Sequence, residues 1–218
     1  METVALIPVR KGSQRVKDKN FRDFYNGKSL LEIKIEQIKN SNKFTRVILT
    51  SDSSKAKDTA KHLDIEFVKR PATFSNSTTP WPLVVKYIVS QIKGNPLIAW
   101  TLVTAPLFQR FDEALSVFDE SKNSDSLVAV LPKKTFLINH SGKGINFNPG
   151  PWHPYSQQLE TYYEITGSMF IGKKEDMYDW SYWYGPKPYL FPVSNVEAVD
   201  IDDHEDFKIA QLLYNSIQ

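Results

Sequence analysis

Near its start the chain reads Ala5-Leu-Ile-Pro-Val-Arg10-Lys-Gly-Ser13-Gln-Arg15-Val-Lys17-Asp-Lys19-Asn20, and this stretch decides the fold. An apolar run that ends abruptly in a polar loop is typical of a buried strand, and ligands of open α/β sheets bind where such strands end. Residues 10–20 form the basic loop, in which Gly12 permits close backbone approach, Ser13 offers a hydroxyl and five side chains are cationic. These groups favour a polyphosphate ligand. The alternative is a solvated loop, but its position directly after an apolar strand favours binding.

Two better-known phosphate loops are excluded. No Gly-x-Gly-x-x-Gly follows the first strand, so the dinucleotide fingerprint is absent. The run Asn26-Gly27-Lys28-Ser29 imitates the end of a P-loop, but Arg22 stands where the earlier glycine is required. Gly27-Lys28 is therefore predicted to form a turn, and Ser29 with Glu32 is predicted to cap a helix over residues 29–42.

Composition bounds the class of protein. A chain of 218 residues is long enough for one α/β domain with a core, so we predict a single domain over residues 1–218. A net charge of +2 gives no general argument for a nucleic-acid partner. The absence of cysteine excludes disulfides and thiolate metal sites. No apolar run has membrane-spanning length and no signal-peptide core precedes the basic loop, so a cytoplasmic protein without a membrane partner is expected.

Strands alternate with helices from residue 4 to 131, which predicts βαβ units and a mostly parallel sheet. Glycines, prolines and short alternating runs follow Pro132, and they indicate an antiparallel arm at about 132–165. Strands are predicted at 46–52, 65–68, 97–104, 126–131, 163–172, 189–193 and 198–201. Helices are predicted at 53–63, 80–92, 111–121 and 174–179, followed by a final helix that Asp203 caps and whose buried face includes Phe207, Ala210 and Ile217.

Three segments carry a resemblance to a known family: Ile7-Pro-Val-Arg10-Lys-Gly-Ser-Gln-Arg15, then Lys19-Asn20, then Gly27-Lys-Ser-Leu30. Together they resemble the signature of the acylneuraminate cytidylyltransferases, which make CMP-activated 2-keto sugar acids. Sugar-1-phosphate nucleotidyltransferases begin similarly but carry a Gly-Gly pair where this chain has Pro8-Val9. The resemblance implies a three-layer α/β nucleotidyltransferase fold, GT-A-like and Rossmann-like, with a mostly parallel sheet and a small antiparallel dimerisation arm.

The implied enzyme is a CTP-dependent nucleotidyltransferase that releases pyrophosphate, uses Mg²⁺ and forms a homodimer. By the same resemblance, Arg10, Ser13 and Lys19 would hold the triphosphate, with Gly12 in the same loop and Asn20 on the nucleotide. Arg10 or Lys19 would stabilise charge on the transferred phosphorus. The segment Arg70-Pro71 matches the one that presents an arginine to cytosine in the family; a surface arginine is the alternative. Asp52 would either contact the nucleotide or cap the next helix, and the cap is favoured.

The run Ala198-Val-Asp200-Ile-Asp202 is the second strong signal. Alternation along a predicted strand places Asp200 and Asp202 on the same face, where two carboxylates beside a polyphosphate suit Mg²⁺. Acidic residues before a helix are more often caps, which is the alternative here. The family has Asp-Ile-Asp at this place, so its metal-binding role carries over to both residues, and Asp200 joins Arg10 and Lys19 as a catalytic candidate.

The acceptor residues depart from the family pattern more than the nucleotide residues do. Leu102 replaces a glutamine that reaches the sugar in sialic-acid enzymes, while Thr104 and Gln157 match the family. Thr166 replaces an asparagine. The departures favour a nonulosonic acid other than sialic acid, or a phosphonate, as acceptor; a nucleotide-binding homologue without turnover is the third hypothesis.

The aromatic run over residues 178–184 has two readings, a stacking platform and structural packing. Packing of a late appendage, or a dimer contact, is favoured. The four histidines show no ligand spacing, so a zinc site is not predicted.

Overall fold

The computed structural model describes residues 2–13 and 15–217 of the chain. These residues form the strands β1 (Thr3–Pro8), β2 (Asp23–Tyr25), β3 (Lys28–Ser29), β4 (Arg46–Ser51), β5 (Glu66–Lys69), β6 (Leu97–Trp100), β7 (Ser126–Lys133), β8 (Tyr162–Lys173) and β9 (Pro188–Pro192). They also form the helices α1 (Leu30–Ser41), α2 (Ser54–His62), α3 (Trp81–Ser90), α4 (Phe111–Glu120), α5 (Lys174–Trp180) and α6 (His204–Ser216). None of these helices is long and apolar enough to cross a membrane.

The main sheet has seven strands in the order β5-β4-β1-β6-β8-β7-β9. The pairs β5–β4, β4–β1, β1–β6 and β7–β9 are parallel, and β8 runs antiparallel between β6 and β7. A separate two-stranded antiparallel sheet, β2–β3, follows the basic loop. The predicted mostly parallel sheet is therefore confirmed.

Helices cover both faces of the sheet, which confirms the three-layer α/β fold. Side chains of α1, α2, α4 and α6 pack on one face with Ala5 and Ile7 of β1. Val4 and Leu6 of β1 point to the other face and pack with α3 and the first part of α5. The first strand is thus buried on both sides, as expected for the centre of a parallel sheet.

The start of α1 forms as the sequence predicts. The Ser29 hydroxyl accepts from the Glu32 amide at 3.3 Å, and the Glu32 carboxylate accepts from the Ser29 amide at 2.8 Å. This reciprocal pair satisfies two amide groups that the first turn of a helix leaves without partners.

Two predicted strands differ in the structure. The strand predicted at 97–104 ends at Trp100, because its pairing with β8 stops at Phe170, where β8 leaves β6 and continues along β7. Residues 101–110, the acceptor loop, are irregular. Most of their apolar side chains are buried without being in a strand, whereas Leu102 is half-buried. The strand predicted at 198–201 is wrong. Residues 195–198 form a turn, and the Ile201 amide bonds to the Thr104 carbonyl oxygen instead of a strand neighbour.

The arm and the last helix need smaller corrections. Both ends of the predicted arm belong to the β7–β8 pair, so the arm proper covers residues 134–161. Its regular structure in the described residues is one bridge between Ile138 and Gly144 and a 3₁₀ turn at Ser156–Gln158. In α6 the predicted Asp203 cap is present, but Ile217 is half exposed and Tyr214 is buried in its place.

Candidate active site

A cavity of about 360 Å³ opens at the edge of the sheet where β1, β4, β5 and β6 end. Because these four strands are parallel, their carboxyl ends meet at one edge, which is where ligands of such sheets bind. The lining, here called the site cavity, comprises Pro8, Arg10, Ser13, Arg15, Val16, Lys19, Asn20, Arg70, Trp81, Leu102, Val103, Thr104, Trp183 and Asp202. Most of the predicted nucleotide residues therefore converge on one space.

In the described part of the basic loop, backbone conformation and several long-range hydrogen bonds hold the chain in place. Gly12 has a φ of +82°, in the left-handed region that glycine adopts without steric cost, and it lies outside the cavity lining. The backbone amide of Lys11 donates a hydrogen bond to the Asp52 carboxylate at 2.7 Å. The favoured prediction, that Asp52 caps α2, is wrong. The N-cap residue of α2 is Ser53, and Asp52 instead connects the end of β4 to the basic loop.

Lys19 lies at the junction of the basic loop and residues 198–202, here called the acidic segment. Its ammonium group donates to the Ile201 carbonyl oxygen. Burial lowers the pKa of Lys19, and the carboxylates of Asp200 and Asp202 oppose that shift, so both acidic groups are close enough to act on the ammonium. The structure therefore brings Lys19, Asp200 and Asp202 together, as the sequence predicts, although the strand that was expected to align the two carboxylates does not form.

Asn20 ends the basic loop and is buried, with its side-chain oxygen lacking a hydrogen-bond partner among the described residues. Its backbone carbonyl accepts from the Leu31 amide at 3.2 Å, which connects the loop to the first turn of α1. A buried amide without a partner costs free energy, so Asn20 offers an unused hydrogen-bonding group in the lining of the site cavity.

Arg70 is not a surface residue: its exposure is 5%, and its guanidinium donates to the Val9 carbonyl at 2.8 Å and to the Ser75 hydroxyl at 3.1 Å. Burial lowers the pKa of Arg70, with Asp52 opposing the shift and Arg10 adding to it. Arg70 also borders a second pocket, here called the side pocket, which is lined by Arg10, Arg70, Phe74, Ser75, Asn76, Ser77, Thr79, Trp81 and Val84.

The two carboxylates of the acidic segment have distinct surroundings. Asp202 accepts from the Arg15 guanidinium at 2.7 Å, and both side chains are more than half exposed. The Asp200 carboxyl lies against Gly167 of β8, where an added Cβ would be 3.5 Å from the carboxyl carbon and 3.1 Å from Leu102. The cap of α6 is Asp203, which accepts from the amides of Glu205 and Asp206. The cap alternative for Asp200 and Asp202 is therefore not what the structure shows.

Only half of the predicted acceptor residues line the site cavity. Leu102 and Thr104 do, through the acceptor loop. Thr166 is buried outside the lining and donates to the Ala129 carbonyl at 3.0 Å, because β8 turns this side chain toward β7. Gln157 is exposed on the arm, where its backbone carbonyl oxygen accepts from the Lys134 ammonium group at 3.0 Å. Neither Thr166 nor Gln157 reaches the site cavity of its own chain.

Two tryptophans that were not among the predicted site residues line the site cavity. The rings of Trp81 and Trp183 lie 4.8 Å apart, and Trp183 stacks on Phe170 at 4.5 Å. The packing interpretation of the 178–184 run is thus confirmed for Trp183, but the same ring also faces the cavity. Trp81 follows Pro80 at the first turn of α3. Its position at the start of a helix beside the sheet edge is the sequence signal that could have identified it as a site residue.

The sheet order and the basic loop at the end of β1 match the nucleotidyltransferase class that the sequence resemblance implies. A family model described as cytidylyltransferase matches residues 4–93. The structure of a CMP:2-keto-3-deoxy-manno-octonic acid synthetase complexed with CTP superposes with a TM-score of 0.72 and 11% identity over 100% of both chains, which shows the shared fold.

Curated relatives extend the match to the whole chain. A pseudaminic acid cytidylyltransferase of Campylobacter jejuni is 24% identical over 98% of this chain and 97% of its own length. An N-acylneuraminate cytidylyltransferase of Escherichia coli is 23% identical over 95% of this chain and 51% of its own length. These matches support a resemblance of the chain to the acylneuraminate cytidylyltransferases.

Proposed function

We propose that the chain transfers the cytidylyl group of CTP to an oxygen of an acidic sugar of the nonulosonic type and releases pyrophosphate. The observation that carries this proposal is the convergence of Arg10, Lys19 and Asn20 with the acidic segment in one cavity. The family match supports CTP as the donor, and the relatives named for pseudaminic and N-acylneuraminic acids support the acceptor class.

In this reaction the acceptor oxygen forms a bond to the α-phosphorus while the bond from that phosphorus to the bridging oxygen of pyrophosphate breaks. Pyrophosphate leaves with the electron pair of that bond, and the acceptor hydroxyl loses its proton. Catalysis of phosphoryl-type transfer is mainly positioning and charge neutralisation. We assign Arg10, Ser13 and Lys19 to the triphosphate, because they surround the same part of the site cavity.

Mg²⁺ is the proposed metal, with Asp200 and Asp202 as its protein ligands. No group of three or more His, Cys, Asp or Glu side chains in the described residues could hold a metal, so the protein supplies two carboxylates at most. That donor set fits Mg²⁺, which is commonly held by one or two carboxylates together with substrate phosphates and water. When bound, the ion would neutralise phosphate charge and lower the pKa of an acceptor hydroxyl.

The side pocket is the proposed cytosine site. It combines the buried guanidinium of Arg70 with small polar side chains and two aromatic side chains, Phe74 and Trp81. A planar base with carbonyl and amino groups matches hydrogen-bonding walls of this kind. Asn20, with its unused side-chain oxygen, is the proposed contact for a nucleotide hydroxyl.

The wall opposite the basic loop is apolar, and this favours an acceptor other than N-acetylneuraminic acid. Leu102, Trp81 and Trp183 form it, so polar sugar groups placed there would lose hydrogen bonds to water without replacing them. Acylamido methyl groups or deoxy carbons would instead bury apolar surface. We therefore favour a pseudaminic-type nonulosonic acid.

A homodimer through the arm is part of the proposal. Trp152 is 86% exposed and Tyr155 is 78% exposed, and Tyr163 and Ile165 of β8 are also about half exposed beside the arm. Large apolar side chains exposed together mark interaction sites. Because Gln157 lies on the arm and away from its own cavity, we propose that it completes the acceptor site of the second copy.

The test is pyrophosphate release from CTP in the presence of Mg²⁺ and a panel of acceptors: pseudaminic acid, N-acetylneuraminic acid and a simple phosphonate. We expect turnover with CTP and pseudaminic acid, and tighter calorimetric binding of CTP than of UTP, GTP or ATP. Equal or tighter binding of UTP would contradict the cytidylyltransferase proposal. Turnover of the phosphonate alone would replace the nonulosonic acid by a phosphonate as the acceptor class.

A further inference from the structure

Lys34 of α1 is a fully buried lysine with 0% exposure. Its ammonium group donates to the carbonyl oxygens of Ala105 at 2.8 Å and Phe108 at 3.0 Å, and it lies 5.4 Å from the centre of the Phe111 ring. Within the described residues burial alone shifts its pKa, lowering it to about 7. Lysine is rarely buried without a carboxylate partner, because removing its charge from water is costly. A group retained at such a cost needs a reason.

The carbonyl groups that Lys34 binds belong to the acceptor loop. After Thr101, whose amide donates to the Leu6 carbonyl of β1 at 3.0 Å, this loop is not part of a strand, so side chains contribute to holding it in place. Gln37, one turn later on α1, donates to the Pro106 carbonyl at 2.8 Å. Three hydrogen bonds from two side chains of α1 therefore anchor the segment that places Leu102 and Thr104 in the site cavity.

The same helix and loop also connect the other parts of the site. At its start, α1 is bonded to the basic loop through the Leu31 amide and the Asn20 carbonyl at 3.2 Å. The Thr104 carbonyl accepts from the Ile201 amide at 2.9 Å, and Ile201 lies between the two acidic residues. The anchor at Lys34 therefore lies in an unbroken series of contacts from the basic loop to the proposed metal ligands.

We infer that Lys34 is a positioning residue for the transfer reaction, which holds the acceptor loop in register with the acidic segment. This inference rests on the proposed function. Small displacements of reacting groups have large effects on transfer rates, because the effective concentration of the reactants depends on their alignment.

Few charged groups compete for Lys34. The carboxylates on the elements around it are bonded elsewhere: Glu32 to Ser29, Glu36 to Lys28, Asp112 to Lys43 and Glu113 to Arg110. What faces the ammonium is two carbonyl oxygens and one aromatic ring. Protonated lysine offers three donors and a charge, whereas the neutral amine offers two weaker donors, so the anchor should weaken as the pH rises above about 7.

The decisive comparison is between Lys34→Met and Lys39→Met. Both lysines lie on α1 and donate to a backbone carbonyl, but Lys39 bonds to Leu63 at 2.9 Å, away from the site cavity. We expect Lys34→Met to lower kcat/KM for the acceptor by about tenfold or more while the Kd for CTP changes by less than about twofold. Lys39→Met should leave both unchanged. Hydrogen exchange at residues 101–110 should be faster in Lys34→Met alone.

Three results would overturn the inference: unchanged acceptor kinetics in a folded Lys34→Met, equal losses for CTP and acceptor, or unchanged exchange at residues 101–110. If Lys34→Met does not fold, the pH dependence of the acceptor KM in the wild type tests the inference. Acceptor KM should rise above pH 7 while CTP affinity stays level, and Lys34→Arg, which stays protonated, should flatten that rise; a level acceptor KM in the wild type contradicts the inference. A wild type that turns over no acceptor contradicts the proposed function instead, and exchange at residues 101–110 then judges the anchor by itself.

Discussion

The nucleotide side and the acceptor side of the site cavity are built in different ways. The nucleotide side comes mostly from one continuous stretch, the basic loop, which leaves the central strand β1 and is held by Asp52 at the end of the neighbouring strand. The acceptor side comes from the irregular loop after β6, from tryptophans on α3 and after α5, and, by our proposal, from the arm of a second copy.

This difference explains why one side keeps the family pattern and the other departs from it. A phosphate group makes the same demands in every relative, and a short loop at a strand end meets them with backbone amides and cations. An acceptor loop without strand pairing is free to change its side chains, because its position depends on anchors such as Lys34 and Gln37 and not on its own sequence. The predictions below test this difference between the nucleotide side and the acceptor side.

The largest effect is expected at the acidic segment. Asp200→Ala or Asp202→Ala should lower kcat by about two orders of magnitude or more, as for the loss of a major electrostatic stabiliser of the transition state. Folding should survive, since Asp200 and Asp202 are exposed and the Arg15–Asp202 ion pair is more than half exposed on both sides. Steady-state kinetics with a magnesium titration measure the effect.

Asp203→Ala is the matched control, because Asp203 is adjacent in sequence and caps α6. It should cost about 1 kcal/mol of unfolding free energy and leave turnover largely intact. If Asp200→Ala and Asp202→Ala melt early and still turn over normally, both residues act as structural groups and the metal site lies elsewhere.

The next effect concerns the arm. Replacing Trp152 and Tyr155 by serine should weaken a dimer by about tenfold or more for each ring that is buried in it, given the free energy of burying an aromatic side chain. Sedimentation velocity at micromolar concentration measures the association. Both rings are exposed in the single chain, so monomer stability should not change. A fully active wild-type monomer would contradict the shared acceptor site.

A smaller effect is expected at the apolar wall. N-acetylneuraminic acid should be a poor acceptor for the wild type, because a polar sugar group left without a partner at Leu102 costs about 1–3 kcal/mol. Leu102→Gln should raise kcat/KM for this acceptor by about tenfold and leave CTP binding unchanged. Leu102→Met, which keeps the wall apolar at similar volume, is the control. Efficient use of N-acetylneuraminic acid by the wild type would show that the wall does not select the acceptor.

The fold could be predicted largely from local signals. The apolar run of β1 and the Ser29–Glu32 cap report on neighbours within a few residues, and the alternation of strands and helices fixes the class of sheet. The strand predicted at 198–201 failed because the amides of Ala198 and Val199 bond locally, to Ser194 and Val196, and the Ile201 amide bonds to Thr104 of the acceptor loop. Sequence periodicity reports burial and does not report which backbone groups pair.

The candidate site was predictable where a motif carries its own geometry and was missed where distant segments meet. Trp183 belongs to a run that reads as packing, and only the fold shows that one ring edge also lines the cavity. Lys34 shares a helix face with Leu31 and Ile38 by its spacing, but a lysine on such a face is expected to carry its charge out to solvent. Its burial depends on carbonyl groups 71 and 74 residues away, which no local pattern reveals.

The last prediction concerns a change of stability with pH at Lys34, on the acceptor side. Its pKa is about 7 in the folded protein and 10.5 as the ordinary value, so between these values the unfolded chain binds one more proton. Stability should therefore rise with pH across this window, by about 1.4 kcal/mol per pH unit at most, and level off below pH 7 where both states are protonated. Lys34→Met removes this contribution. In urea unfolding, the free energy of unfolding of Lys34→Met relative to the wild type should be highest below pH 7 and should fall toward pH 10. For Lys39→Met, the difference in free energy of unfolding from the wild type should be constant with pH. A constant difference for Lys34→Met as well would mean that Lys34 titrates in the folded protein as it does in the unfolded chain, and the acceptor side would then have no anchor that responds to pH.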